Sequence, residues 1–326
     1  MLGGAVALAV TALLPQGVAA AARIDATQVA QCWTALHRLF ELDDQQGGAE
    51  VYQMAAGMAQ RLQNALRRGS YQPAVGHELQ AVTAATAEHA AWLAYDAGQA
   101  QQARQWWLEA CHFADLSGVL DSRVTALASM SRQAGDDPRR GSETVGLAQS
   151  AQAAAGEQAS PTLLSLLAAR EAVGHAWAGD RAAATASIAQ ARRWLDQGWQ
   201  GDEPFWLDFW GPADLASYES RVALALGQGK LALGAARAAL TANDAGAYPR
   251  NHTLYTVGLS SVLTRVGQFD EAIAVIRDAV QQVDAMRGCG RAVTQLHHTI
   301  DLLGRQNYPS AMSFAAAARQ LLPASA

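Results

Sequence analysis

The chain has 326 residues, of which half are hydrophobic and 16% are charged. Its formal net charge of −5 and its lack of a long Lys/Arg cluster argue against a nucleic-acid-binding protein. An Ala-rich composition with nine prolines, and without runs of alternating β-branched residues, predicts an all-α protein. The three cysteines are odd in number and far apart, which predicts reduced, buried thiols in a cytosolic protein.

Residues 1–24 form an apolar amino-terminal segment without a charge before Arg23. Two interpretations stay open for it: a first helix or remnant of a linker, which we favour, or a cleaved signal peptide that lacks its basic region. The segment is too short, and too interrupted by Pro15 and Gly17, to span a membrane. The first interpretation predicts a cytoplasmic protein, whereas a signal peptide over residues 1–22 predicts a secreted one.

The clearest helical unit runs from residue 251 to residue 288. Apolar residues recur there at helical spacing, Gly267 interrupts the stripe, and a second apolar stripe follows. Gly267 can adopt the left-handed conformation that ends a helix, and the small Ala272 allows two helix backbones to approach closely. This stretch is therefore predicted to be one helical hairpin.

The same turn recurs along the chain, with a small residue five positions after each opening. The openings are Gly98, Asp136, Gly179, Gly227, Gly267 and Gln306, at intervals of 38 to 48 residues. The corresponding predicted hairpins are residues 73–117, 119–155, 160–198, 212–243, 251–287 and 290–322, and a helix pair from Asp25 to Arg68 precedes them. A single hairpin cannot bury its apolar stripes, so neighbours of the same kind must stack on it. We predict a right-handed solenoid of about seven tetratricopeptide-like hairpins over residues 25–322, followed by a tail over residues 323–326.

Four motifs in this order carry a family resemblance: AAWLAYDAGQAQQARQWWLEACHFA, SPTLLSLLAAREAVGHAWAGD, DEPFWLDFWGPADLASYESRVALALGQ and PRNHTLYTVGLSSVLTRVGQFDEA. Over about residues 25–322 the chain resembles the carboxy-terminal tetratricopeptide (TPR) region of actinobacterial helix-turn-helix regulators of the XRE type. The resemblance implies a helical sensor or partner-binding region that is normally attached to a small DNA-binding domain. The 24 residues ahead of it are too few for such a domain, so DNA binding is not carried over.

The resemblance also implies which residues line a concave groove, because the first helices of TPR hairpins face it. Counted from the turns, the predicted groove residues are Trp92, Tyr95, Asp96, Arg123, Trp177, Asp214, Arg221 and Arg265. Either of the last two arginines could pair with a carboxylate, and the aromatic side chains could anchor an extended peptide. In the alternative interpretation the aromatic residues only pack between the first helices.

Two further clusters stand out. The long connection before Pro212 is aromatic, and two interpretations stay open for it: a lid over the groove, or a seal between the third and fourth hairpins, which we favour. The residues of the predicted lid are Phe205, Trp206, Asp208 and Trp210. Glu171 and His175, next to Arg170, share one helix face, and we favour a buried hydrogen-bonded pair over a proton relay.

No catalytic, cofactor or metal motif is recognisable in the sequence, since neither HExxH nor CxxC occurs. We predict a non-enzymatic TPR sensor or adaptor with a regulatory role, which binds a peptide, small molecule or protein partner in its groove. One alternative is a truncated transcriptional regulator whose helix-turn-helix is encoded upstream. The other is an enzyme or accessory protein of a biosynthetic pathway that uses the groove as its substrate pocket. The sequence predicts neither a cofactor nor a membrane association, and it leaves the oligomeric state open.

Overall fold

The computed structural model of the protein describes residues 23–46, 48–157, 159–199, 203, 205–246, 248–281 and 289–322. These residues form fourteen α-helices and two short 3₁₀ turns, and no β-strand occurs among them. An isolated bridge joins Arg23 to Ser70. The prediction of an all-α protein is confirmed. The predictions for residues 1–22 and 323–326 lie outside the described residues.

The helices follow the chain as pairs joined by short connections. They are α1 (Ala26–Gln46), α2 (Gly48–Arg68), α3 (Pro73–Asp96), α4 (Ala100–Ser117), α5 (Asp121–Ala134), α6 (Gly141–Ala155), α7 (Pro161–Trp177), α8 (Arg181–Leu195), α9 (Pro212–Ala225), α10 (Gly229–Ala242), α11 (Pro249–Arg265), α12 (Phe269–Gln281), α13 (Gly290–Gly304) and α14 (Pro309–Leu321). The predicted hairpins match these helices to within a few residues, apart from the predicted end of the 251–287 hairpin, which falls outside the described residues.

Contacts between helices divide the described chain into two compact units, residues 23–129 and residues 130–322, and the division falls within α5. In the first unit, α1 packs on α2 and α3, α2 packs on α3, and α3 packs along α4. Its core contains Leu36, Leu62, Leu79, Leu93 and Trp107, which are almost completely inaccessible to solvent. The apolar stripes of these four helices therefore face one another.

The second unit repeats one packing arrangement. Its hairpins are α7 with α8, α9 with α10, α11 with α12, and α13 with α14. The first helices of these hairpins also contact one another in order, α7 with α9, α9 with α11 and α11 with α13. Each hairpin thus covers the apolar face that its neighbour cannot bury alone.

The hairpin turns explain why the helices end where they do. Four turn glycines lie between helices with φ angles of 82°, 80°, 73° and 81°, in the order Gly98, Gly179, Gly227 and Gly267. At the last of these, the amide of Gln268 donates to the carbonyl of Leu263 at 2.9 Å, which closes the α11 carboxyl end. Only glycine adopts such φ angles without steric strain. The predicted turns are confirmed at these positions.

The small residue after each turn lies in the contact between the two helices. All six of these residues are buried: Ala103, Gly141, Ala184, Ala232, Ala272 and Ala311. In two hairpins a serine of the first helix donates to the carbonyl of that residue, from Ser220 to Ala232 at 2.8 Å and from Ser260 to Ala272 at 2.9 Å. The repeat in the sequence therefore corresponds to a repeated helix contact.

None of the three cysteines, all of which the structure describes, forms a disulfide. Burial raises the pKa of the Cys32 thiol to about 11, so this thiol stays protonated. Among the described residues, no helix has both the length and the apolar character that crossing a bilayer requires.

Candidate functional site

In the first unit, the predicted groove residues of α3 are mainly part of the core. The rings of Trp92 and Tyr95 are 5.8 Å apart, and the ring of Tyr95 lies 5.7 Å from that of Trp107. Tyr95 and Asp96 are buried, whereas Trp92 is half-buried. Of the three predicted groove residues on α3, Trp92 is therefore the one whose side chain is partly accessible to a ligand. For Tyr95, this placement fits the packing interpretation.

Arg123 is also predicted to line the groove. The structure places it near the start of α5, where its guanidinium pairs with the carboxylate of Asp115. Both side chains are more than a third exposed, so the pair contributes little to stability. A ligand carboxylate would have to compete with Asp115 for this arginine.

In the second unit, Trp177 and Arg221 meet at one backbone carbonyl. The indole N–H of Trp177 donates to the carbonyl oxygen of Gly135 at 3.0 Å, and Arg221 Nη2 donates to the same oxygen at 2.8 Å. Arg221 also pairs with Asp136 at 3.2 Å. The two predicted groove residues therefore bind the turn that follows α5. Their contacts join α7 and α9 to this turn.

Tyr218, which was not among the predicted site residues, lies beside Arg221. The Arg221 guanidinium stands 5.5 Å from the ring centre of the buried Tyr218, within the range of a cation–π contact. Burial alone would raise the pKa of Tyr218, but the charges of Arg170, Arg132 and Arg221, and a hydrogen bond from Arg170, lower it. Tyr218 precedes Arg221 by three residues, and this helical spacing could have indicated the contact.

The aromatic connection before α9 lies partly in the core. Trp210 is buried, its indole N–H donates to Ser165 Oγ of α7 at 3.0 Å, and its ring lies 5.4 Å from that of Tyr218 on α9. Trp206 is half-buried, and the Asp208 side chain is exposed. The side chain of Phe205 lies outside the described residues. The placement of Trp210 fits a seal between the third and fourth hairpins.

Asp214 forms a contact that links two hairpins. The Tyr255 hydroxyl of α11 donates to Asp214 Oδ1 in the first turn of α9 at 2.6 Å. Burial raises the pKa of Asp214 to about 7, although the hydrogen bond from Tyr255 opposes this change. Burial and the neighbouring carboxylate together raise the pKa of Tyr255. The predicted groove acid is thus the acceptor of an internal hydrogen bond.

Glu171 and His175 form the expected local pair on α7. Glu171 accepts hydrogen bonds from Gln149 Nε2 at 2.8 Å and Gln152 Nε2 at 3.0 Å, and His175 Nε2 lies 3.4 Å from Glu171 Oε1. Less than a fifth of each of the two paired side chains is exposed. This arrangement is typical of a structural network that ties α6 to α7.

Arg265 differs from Arg221 in its surroundings. It is exposed at the end of α11 and forms no ion pair with any residue that the structure describes. It borders a cleft of about 410 Å³ whose apolar lining includes Leu224, Val266 and Leu302. The cleft lies where α9, α11 and α13 end, and Arg265 is the charged residue in its described lining. Among the predicted groove arginines, it is therefore the one whose charge is available to a ligand.

A larger cleft, of about 510 Å³, lies in the first unit between α2, α3 and α4. Its lining combines apolar side chains such as Leu66 and Phe113 with charged ones such as Arg67 and Glu109. None of its lining residues was predicted as a site residue. The signal was present as the apolar residues Leu108 and Leu116 on the outer face of α4.

The described residues contain no group of three or more His, Cys, Asp or Glu placed to hold a metal ion. No protein-family model matches the sequence, and no curated protein is significantly similar to it. The resemblance to TPR-containing regulators therefore stays a prediction from the quoted motifs.

Proposed function

We propose that the chain is a non-enzymatic, cytoplasmic sensor or adaptor of TPR-like hairpins that binds a peptide, small molecule or protein partner. The resemblance to the TPR region of actinobacterial XRE-type regulators supports a regulatory role. The ordered contacts of α7, α9, α11 and α13 support the proposal most directly, because helices that lie side by side make a continuous surface for an extended ligand. Of the predicted groove residues, Trp177 belongs to α7, Asp214 and Arg221 to α9, and Arg265 to α11.

The two arginines of this surface are proposed to have different roles. Arg221 braces the turn after α5 through Gly135 and Asp136, so it shapes the surface. Arg265 borders an open cleft whose lining combines apolar side chains with polar groups such as Gln306, and it forms no ion pair within the described chain. An exposed guanidinium close to Leu224, Val266 and Leu302 suits a ligand that carries a carboxylate next to a small apolar group. We propose Arg265 as the charged anchor of this ligand and Trp177 as its aromatic contact.

The alternative of an enzyme that closes a substrate pocket under the aromatic connection gains no support from these contacts. Trp210 is committed to the core through Ser165 and Tyr218. Neither of the two clefts described above is bordered by Trp206 or Trp210. The upstream helix-turn-helix alternative likewise gains no support from the described residues.

The proposal can be tested with a matched pair of arginines from one hairpin. Peptides with free carboxyl ends are selected from a random library on the purified full chain, and their affinities are measured by fluorescence anisotropy. Arg265→Gln is expected to weaken binding about tenfold, the equivalent of about 1.4 kcal/mol. Arg277→Gln, on the second helix α12, removes another exposed arginine and is expected to leave the affinity unchanged.

A second pair of variants tests the aromatic contact. Trp177→Ala on α7 is expected to weaken binding by at least tenfold, because large aromatic anchors carry much of the binding energy in such surfaces. Trp194→Ala on α8 removes a half-buried tryptophan from the second helix of the same hairpin, and it serves as the control. Circular dichroism verifies that each variant is folded. Equal affinities in all four variants would show that the selected peptides bind elsewhere.

A further inference from the structure

The outer face of α4 carries an unusual concentration of exposed apolar side chains. Leu108 and Leu116 are 56% and 48% exposed and lie about two helical turns apart on one face. Val119 and Leu120, directly after the helix, are 44% and 49% exposed. These residues, the α4 patch, are four of the nine large hydrophobic side chains exposed in the described chain. Clustering of this kind marks an interaction surface.

The α4 patch adjoins the 510 Å³ cleft between α2 and α4. Leu108 and Leu116 form part of the lining, together with Leu66 of α2 and Phe113 of α4. An apolar ridge therefore stands directly beside a partly apolar depression. Such a surface is complementary to a second copy of itself, since the ridge of one copy can enter the depression of the other.

The charges of the cleft show the same self-complementarity. Arg67 on the α2 wall and Glu109 on the α4 wall are both exposed. Arg67 donates to Asn64 Oδ1 at 2.8 Å, and Glu109 accepts from Gln63 Nε2 at 3.4 Å. Neither charge forms an ion pair with another residue of the described chain. The cleft therefore presents one positive and one negative side chain, which is the charge pattern that a two-fold contact between identical copies requires.

We propose that this face of α2 and α4 is the interface of a homodimer, formed around a two-fold axis by two copies of the α4 patch. The symmetry uses every contact twice, so that two apolar ridges are buried and two Arg67–Glu109 pairs form. An 18-residue helix such as α4 is about 27 Å long. A standard interface buries roughly 800 Å² per copy, so one α4 from each copy and the adjacent residues of α2 are expected to form the contact together.

Sedimentation of the full chain over a range of concentrations tests the apolar part of the interface. The double variant Leu108→Glu/Leu116→Glu is expected to raise the dimer dissociation constant at least about 100-fold, because it places four carboxylates in the contact. Leu231→Glu, on α10, changes a leucine that is 64% exposed and is the matched control. It is expected to leave the dissociation constant unchanged. All three positions are exposed, so each variant is expected to keep the helical circular dichroism spectrum of the wild type.

Charge reversal tests the geometry independently. Arg67→Glu and Glu109→Arg are each expected to weaken the dimer about tenfold, and the double variant restores the affinity because it re-forms the pairs with exchanged signs. A dimer that survives the leucine substitutions overturns the proposal. So does a wild-type chain that is monomeric up to about 100 µM. In that case another protein or the chain's own residues 1–22 would be the occupant of the patch.

Discussion

The Tyr255 hydroxyl donates a 2.6 Å hydrogen bond to Asp214 Oδ1 and so joins the fourth and fifth of the predicted turn-aligned hairpins. The carboxyl is largely buried, and burial raises its pKa to about 7. The protonated form of Asp214 is therefore stabilised in the folded chain. The burial of this carboxyl therefore makes the stability of the second unit depend on pH.

The expected pH dependence follows from the two pKa values. The ordinary value of the Asp214 carboxyl is 3.8 and its folded value is about 7, so between them the folded chain binds more protons than the unfolded chain. The contribution of the Asp214 carboxyl to the free energy of unfolding is fully present below pH 3.8 and is lost as the pH rises to about 7. Asp214→Asn keeps an acceptor for Tyr255 and removes the titration. Urea unfolding from pH 4 to pH 8 is expected to show the variant gaining stability relative to the wild type, by up to about 4 kcal/mol. Parallel curves for the two proteins would contradict the assignment.

Gly174 is expected to tolerate no side chain. A Cβ there would lie 2.7 Å from Val145 Cγ2 and 2.8 Å from the carbonyl oxygen of Gly141, where α6 packs against α7. Gly174→Ala is expected to cost about 1–3 kcal/mol, since the helices must separate. Gly146→Ala on α6 meets no atom within 4 Å and is expected to stabilise the helix by about 0.5–1 kcal/mol. The midpoints of thermal unfolding of the two variants are compared. Equal shifts in midpoint would show that α6 and α7 are not in close contact at Gly174.

Gly267 is expected to be sensitive for a different reason. Its φ angle is 81°, and a side chain there would have open space but a strained backbone. Gly267→Ala is therefore expected to destabilise the chain by about 1 kcal/mol. Gly258→Ala, in the interior of α11 in the same hairpin, also has open space and is expected to be stabilising. Denaturant midpoints of both variants check the opposite signs. A neutral Gly267→Ala would show that this turn can relax.

Trp210 and Ser165 are expected to behave as one unit. Trp210→Phe removes the indole N–H and leaves the buried Ser165 hydroxyl without that donor, at a cost of about 1–3 kcal/mol beyond the lost packing. Ser165→Ala in the same background is expected to recover part of this loss. A double-mutant cycle from urea unfolding measures the coupling, which is expected to be at least about 0.5 kcal/mol. Trp206→Phe, in the same connection, is the control. Additive effects at positions 210 and 165 would refute the hydrogen bond.

The position of each hairpin could be predicted because its determinants are local. A glycine with a positive φ angle follows the first helix of four hairpins, at Gly98, Gly179, Gly227 and Gly267. The small residue after each turn is required by the helix contact of the same hairpin. Asp214 was predicted as a groove residue by its position in the repeat, yet its partner Tyr255 belongs to the next hairpin. Position in a repeat does not identify the partner.

The sequence by itself determined the helical class, the turns and the order of the hairpins, because helical periodicity and the conformational freedom of glycine act over a few neighbouring residues. Only the tertiary structure decided which side chains meet. Trp177 and Arg221 reach the carbonyl of Gly135 from 42 and 86 residues away, whereas Arg265 is left beside an open cleft. Such contacts between distant residues depend on the angle at which one hairpin packs against the next. That angle results from the packing of all the buried side chains together, and no local spacing encodes it.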